Sequence, residues 1–342
     1  MSGVFMTEVE PDGDGQRLDR WFRRHFPQVT QGRVEKMCRK GEIRVDGGRV
    51  KASTRLEAGQ AVRVPPLPDT KAPEPARSQV SDAQAEMIRA TVIYRDEHII
   101  ALNKPPGLAV QGGSGTHQHV DGLGDALRFG MEAKPKLVHR LDKDTSGVLL
   151  LARTGRAAAR LTKAFQARST RKIYWAVVAG RPKPDAGTVR YGLVKAGGKG
   201  HEKMQCIHPD DVSDTPGAKR ATSDYRMLEH VGERAAWVAL VPVTGRTHQL
   251  RAHMAEIGHP IAGDGKYGTN AQVNEGDGWG AQLGGDISRK LHLHSRTISF
   301  DHPETGHRIT LTAPLPEHMA KTWKTFEWVA RDHPGDPFED LE

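Results

Sequence analysis

The chain has 342 residues, enough for two or three domains with a proper core, and its composition is globular: 37% hydrophobic, 27% charged and 6% aromatic. No stretch approaches the roughly 20 apolar residues of a membrane span. Residues 1–15 are acidic and Gly-rich without the apolar core of a signal peptide, and the two distant cysteines, Cys38 and Cys206, suit a reducing cytoplasm rather than a disulfide framework. The net charge of +8 is unevenly placed: Gln16 to Pro66 holds thirteen Lys/Arg against five Asp/Glu, which is the whole excess, and the remainder balances at 37 of each sign. Such a segment is an electrostatic footprint for a polyanion, with a phosphate backbone the first expectation.

In chain order, residues 1–15 read as an N-terminal extension. Leu18, Trp21 and Phe22, at i, i+3 and i+4, predict a short amphipathic helix, and Val34, Met37 and Cys38 give a second one its apolar stripe. Arg33, Lys36 and Lys40 share a separate face of that second helix. Glu42 to Val45 and Arg49 to Lys51 flank Asp46-Gly47-Gly48, a hairpin signal, and Val62 with Val64 supplies one more strand. Arg17-Leu18-Asp19, then Arg33-Val34, then Lys40 to Gly47 resemble the S4-like RNA-binding module of ribosomal proteins. The resemblance places the module at 16–66 and implies that Arg33, Lys36, Lys40 and Arg44 contact RNA.

Residues 67–90, rich in Pro, Ala and Ser without apolar periodicity, read as a linker. A larger domain is expected over 91–320. Thr91 to Tyr94 and His98 to Leu102 predict a strand pair ended by the turn Asn103-Lys104-Pro105-Pro106-Gly107. Further strands are predicted at Ile173 to Val178 and Trp237 to Val243, and helices at Arg156 to Ala167 and Thr247 to Ile257. Lys195 to Lys219 and Thr269 to Gly285 read as mobile loops, and 321–342 as an acidic tail that frays.

Two segments carry chemistry. In His139-Arg140-Leu141-Asp142-Lys143-Asp144-Thr145-Ser146-Gly147, ahead of the strand-like Val148 to Ala152, carboxylates stand beside cations. A carboxylate so held stays charged, poised as nucleophile or base. The competing reading is a loop in which Asp142 or Asp144 caps a turn and pairs with Arg140. In Thr244 to Met254, Leu250, Met254 and Ile257 form the buried stripe, His248 and Arg251 share one flank, and Gly258 followed by Pro260 ends the helix. An Arg-bearing flank with little bulk beside it suits a cleft wall; a solvated helix face is the alternative. His292 and His294 with His248 and His253 suggest a metal site only weakly, because the Glu of a His-Glu-x-x-His helix is missing, so no metal is assigned and strand-end or RNA-contact roles are preferred. Gly263 to Gly268 reads as a turn, and Lys104 as a phosphate contact or a solvated turn residue.

His139 to Gly147, Lys172 to Gly180 and Gly245 to Arg251 stand in the order seen in the RluA/RluC/RluD family of pseudouridine synthases, which the chain resembles from about Val9 to Pro316. The run ending Thr145 to Leu151 stands slightly nearer the RluC branch. The resemblance implies an α+β chain: a small S4-like domain, then a mixed α/β catalytic domain with a largely antiparallel sheet. It also implies Asp142 as the catalytic aspartate, Tyr174 as its aromatic partner, Arg251 as the cation pairing with it, and Arg140 as the residue that displaces the target base. Arg246 and His248 are expected at the RNA. The reaction breaks the ribose C1′–uracil N1 bond, turns the base over and joins C1′ to C5, so no cofactor is expected. Whether Asp142 attacks C1′ or C6, or acts as a base at C2′, stays open in the sequence. The expected partner is large-subunit ribosomal RNA, with a monomeric enzyme in the cytoplasm. A tRNA uridine isomerase, or a non-catalytic ribosome-assembly factor that kept the fold, are the rivals.

Overall fold

The computed structural model describes residues 3–67, 80–112, 118–167, 169–196, 203–267, 287–333 and 335–339. The chain divides into two units, 1–79 and 80–342, each with its own buried apolar core.

In the first unit, helix α1 (Leu18–His25) buries Leu18, Trp21 and Phe22 against Val34, Met37 and Cys38 of α2 (Gln31–Lys40), as the spacing predicts. Strands β1 (Phe5–Glu8), β2 (Arg44–Val45), β3 (Gly48–Arg49) and β4 (Ala61–Val64) form an antiparallel sheet in the order β1-β4-β2-β3. The β2–β3 hairpin turns at Asp46 and Gly47, φ 47° and 75°, the mirror-image turn whose twist matches the strands. The expected N-terminal extension is instead part of this unit. Phe5 to Glu8 pairs with Val64 to Ala61, and Val9 is buried, so β1 covers an edge of β4 that would otherwise lie open.

The second unit opens with helix α3 (Asp82–Ala90), within the stretch read as linker. Ser81 and Gln84 form a reciprocal capping box, and Ala85 and Ile88 are buried, so the Ser-x-x-Gln signal outweighs the polar composition. The rest of that stretch, 68–79, lies outside the described residues. The strands that follow are β5 (Val92–Arg95), β6 (Ile99–Lys104), β7 (Lys136–Leu137), β8 (Ser146–Ala152), β9 (Arg171–Ala179) and β10 (Ala186–Ala196). After them come β11 (Lys203–Ile207), β12 (Lys219–Val231), β13 (Ala235–Pro242), β14 (Leu293–Asp301) and β15 (Arg308–Thr312). They make one sheet in the order β11-β10-β12-β13-β9-β14-β8-β6-β5, with β15 on β14 and β7 on β8; every pair is antiparallel except β8–β14. Helices α4 (Gly155–Ala167), α5 (Gln249–Glu256) and α6 (Glu317–Thr325) cover its faces.

Two loop expectations change. Within 195–219 the strand β11 pairs with β10, while the expected loop 269–285 lies outside the described residues. The tail 321–342 does not fray as far as it is described. Met319, Trp323, Trp328 and Phe338 pack against Trp175 and Trp237, and Asp336 binds Arg171 at 2.6 Å, so apolar burial overrides the acidic composition.

At the parallel junction Gly147 has φ 107°, and a Cβ there would stand 2.2 Å from the Ser295 carbonyl oxygen, so only glycine fits. Beside it His294 accepts from Ser146 Oγ at 2.9 Å and donates to the Ala313 carbonyl at 3.2 Å. His292 donates to the Lys290 carbonyl and lies 2.9 Å from Thr322 Oγ1. Both rings are structural. Burial pulls both pKa values down to about 3, so they are neutral in the fold. An unfolded chain, with histidines near 6.5, binds protons between there and about 3 that the fold excludes, so stability falls on acidification by up to about 1.4 kcal/mol per pH unit for each ring. Thermal melts from pH 7.5 to 4.5 should show Tm falling below pH 6.5, with a shallower fall in His294→Gln; an unchanged slope in that variant would remove His294 from the account.

Candidate active site

Four segments converge on a cleft of about 470 Å³: the loop before β8 (His139 to Thr145), the start of β9 (Lys172, Tyr174), the turn after β13 (Gly245, Arg246) and the first turns of α5 (His248, Arg251). Asp142 Oδ2 lies 3.3 Å from Arg251 Nη1 and 3.8 Å from His248 Nε2. Asp144, the alternative acid, is exposed. Arg251 is only 6% exposed, and behind it Asp264, fully buried, takes Nε and Nη2 at 2.7 Å each. Burial opposes the Arg251 charge, but Asp264 first and Asp142 second outweigh it and raise its pKa further. Asp264 Oδ1 also accepts the backbone N–H groups of Lys266 and Tyr267, which fixes the carboxylate.

The Tyr267 ring lies 5.3 Å from the Arg251 guanidinium, and its hydroxyl accepts the Met204 N–H at 2.8 Å. That hydroxyl is 3.0 Å from His248 Nδ1, and the other ring nitrogen, Nε2, faces Asp142. Burial lowers the His248 pKa more than Asp142 raises it, consistent with a neutral ring. His248 itself has φ 50°, an uncommon conformation for a non-glycine residue, at the turn into α5. The helix is locked there by Gln249, which accepts from Thr244 Oγ1 (2.6 Å) and the Arg246 N–H, and donates to the Thr222 carbonyl and Ser223 Oγ on β12. His253 packs fully buried on Ser223 Oγ at 2.9 Å. The helix is therefore a cleft wall with both flanks engaged, not a solvated face.

Tyr174 is nearly buried; burial first, with Asp142 adding, pushes its hydroxyl up to about 12 although Ser295 bonds it, so it stays protonated at neutral pH. His139, pulled down to about 3 by burial, accepts the Leu150 N–H at 2.8 Å and stacks on Phe165 at 4.6 Å. Arg140 and Arg246 are exposed at the cleft. Arg33, Lys36, Lys40 and Arg44 are exposed on the first unit. So six of the ten residues singled out from sequence share one cleft and four stand on the other unit.

Three residues were misread or passed over. Lys104 neither contacts solvent nor reaches for a ligand. Completely buried, it donates to the carbonyls of Pro105, Leu108 and Lys143 at 2.8–2.9 Å, tying the turn after β6 to the residue beside Asp142. Burial pulls its pKa down to about 7 against the opposing fields of Asp144 and Asp142. Asp264 and Tyr267 lay in the stretch read only as a turn. Gly263 there has φ 72° and a Cβ would meet the Lys290 carbonyl at 2.1 Å, so the turn is required, but it also carries the acid that holds Arg251.

Residues 98–256 match the RNA pseudouridylate synthase family and residues 16–62 match the S4 domain. The chain is 36% identical to the ribosomal large subunit pseudouridine synthase C of Vibrio cholerae, covering 92% of this chain and 95% of that protein. It is likewise 36% identical to the protein of that name from Escherichia coli, covering 93% and 95%. Among solved structures, human RNA pseudouridylate synthase domain containing 4 matches with a TM-score of 0.58 and 27% identity, over 72% of this chain and 96% of that one.

The two carboxylates on Arg251 differ in what they do for the fold. Asp264→Ala strips a buried guanidinium of its main partner and should cost roughly 3–5 kcal/mol. Asp142→Ala removes a single longer contact at the open side and should cost less than about 1 kcal/mol. Urea titration of both variants checks this; equal losses would make Asp142 a structural residue.

Proposed function

From the premise that the chain belongs to the RNA pseudouridylate synthase family, we propose that it isomerises specific uridines of large-subunit ribosomal RNA to pseudouridine, with Asp142 as the catalytic carboxylate. The observation that carries this reading is the chain Asp264–Arg251–Asp142 ending in an open cleft beside a protonated Tyr174.

The chemistry follows from what these groups supply. The C1′–N1 bond breaks, the uracil rotates, C1′–C5 forms, the hydrogen on C5 leaves as a proton and N1 ends protonated. Nothing is oxidised and no group donor enters. Asp142, aimed by Arg251, stabilises or engages the sugar–base fragment as the bond breaks. Tyr174 stays a phenol, able to stack on the base and relay a proton near C5. The uridine must leave its stack at a cost of a few kcal/mol, which Arg140, exposed at the cleft, lowers by filling the vacated place. His248 and Arg246 meet the RNA at the other wall. On the first unit, Arg33, Lys36, Lys40 and Arg44 bind phosphates of the folded RNA. The enzyme acts as a monomer in the cytoplasm; among the described residues no helix is long and apolar enough to cross a membrane.

Large-subunit rRNA carrying 5-tritiated uridine tests this directly, because joining C5 to the sugar expels the label. Wild type should release tritium and Asp142→Ala should release none while binding RNA near wild-type strength. Release from tRNA and not rRNA would reassign the substrate, and release from neither, with RNA bound, would leave a binding factor. For the first unit, replacing Arg33, Lys36, Lys40 and Arg44 with Gln should lower the slope of log affinity against log salt by about three. An unchanged slope would place those cations off the RNA.

A further inference from the structure

The catalytic cleft does not end at Tyr174. A second pocket of about 610 Å³ adjoins it and shares Phe165, Lys172, Pro242, Gly245 and Arg246 with it. The lining of this second pocket holds three cations, Arg171, Lys172 and Arg246, and no acid. Arg171 is already neutralised by Asp336 at 2.6 Å. The other two are not. Lys172 is half-buried, and among the described residues its ammonium has no hydrogen bond or ion pair; its contact is the face of Phe165, 5.7 Å from the ring centre. Arg246 is exposed and donates from Nε to the Arg220 carbonyl at 3.4 Å, with its terminal nitrogens unpaired among the described residues.

A cation taken out of water without a counter-ion is costly, and a fold keeps one at a cleft where a ligand brings the missing charge. Consistent with this, burial alone lowers the Lys172 pKa and no carboxylate opposes it. Lys172 lies two residues before Tyr174 on β9, so the two share a face about 6.7 Å apart along the strand. A group there stands one side-chain length from the base that Tyr174 meets. A single nucleotide would fill only the first pocket, whereas a polymer runs through both.

We propose that Lys172 and Arg246 form a phosphate subsite that grips the backbone phosphodiester next to the target uridine, with Phe165, whose face Lys172 lies against, as an apolar wall of the pocket. Lys172 supplies a point charge and Arg246 a planar fork for the two non-bridging oxygens. The subsite rests on the uridine-isomerase reading and deepens it: the enzyme recognises the strand that carries the uridine as well as the base.

The test uses the full-length protein and the 5-tritiated large-subunit rRNA transcript, comparing wild type, Lys172→Gln, Lys172→Arg and Arg246→Gln. The loss of one charge-assisted contact should raise KM about tenfold in Lys172→Gln, more than it lowers kcat, with recovery in Lys172→Arg. Equilibrium binding across a salt series should lose about 0.7 from its log–log slope in each Gln variant and nothing in Lys172→Arg. Wild-type KM and wild-type slope in Lys172→Gln overturn the subsite. Should Lys172→Gln fail to fold in a thermal melt, Arg246→Gln, at an exposed position, decides by the same slope. The binding arm needs no turnover. A wild type that releases no tritium, yet whose salt slope these variants reduce, sinks the isomerase and keeps the subsite; tritium release with unchanged slopes does the reverse.

Discussion

Everything at this site hangs on a guanidinium shared unequally by two carboxylates. Arg251 is buried, and a buried cation is tolerable only with excellent geometry around it. Asp264 supplies that geometry: two parallel bonds at 2.7 Å, from a carboxylate itself fixed by two backbone N–H groups. The bond to Asp142, one contact at 3.3 Å, is left over from structural duty. Asp142 is thus oriented by a group whose own position does not depend on it, and its side chain lines the open cleft. With His248 neutral, two acids around one guanidinium leave the centre with a net negative charge. RNA phosphates would be repelled from such a centre. The cations at its rim, Arg140, Lys172 and Arg246, carry the opposite sign along the edge of the cleft.

The sheet explains why these groups meet. Asp142 precedes β8, Tyr174 is on β9, and Ser295 between them is on β14, so the one parallel pairing in the sheet lies under the site. Gly147 lets β8 approach β14 with its backbone against Ser295, and the same Ser295 bonds the Tyr174 hydroxyl. Lys104 ties the next strand's turn to the Lys143 carbonyl. The loop bearing Asp142 is therefore held on its C-terminal side, at Lys143 and Gly147, by contacts buried in the core, which is what a preorganised carboxylate requires.

What the sequence disclosed divides by range. The α1 triplet Leu18, Trp21 and Phe22 and the Asp46-Gly47 turn were legible because helix periodicity and turn chemistry act within a few residues. The anomaly of carboxylates among cations at Asp142 was likewise local. Its partner was not: Arg251 is 109 residues away, and only the resemblance to a family joined the two. Asp264 was hidden because an Asp between glycines is the ordinary composition of a turn, and nothing nearby marks it as an Arg ligand. Lys104 was hidden for the opposite reason, since a Lys in Asn-Lys-Pro-Pro-Gly looks solvated and its three acceptors are backbone atoms without sequence identity. The C-terminal helix, by contrast, was there to be read. Met319, Thr322, Trp323 and Phe326 recur at i, i+3, i+4 and i+7, and the acidic residues beyond them drew the reading away.

Charge is arranged on two scales that serve one substrate. Residues 16–66 of the first unit concentrate thirteen Lys/Arg against five Asp/Glu in an exposed basic module, whose field acts at range, falls off within a Debye length and carries no information about which nucleotide arrives. The second unit spreads 35 Lys/Arg and 31 Asp/Glu over a much longer chain, and at the cleft it presents Arg140, Lys172 and Arg246. Attraction and selection are thereby separated. A chain that placed its excess charge around Asp142 would bind any phosphate strand in the site, including strands with no uridine to turn out. With a dense basic module on the first unit and only a few cations at the cleft, entry under the proposed reading would depend on a base that fits beside Tyr174 and a backbone that reaches those cations together.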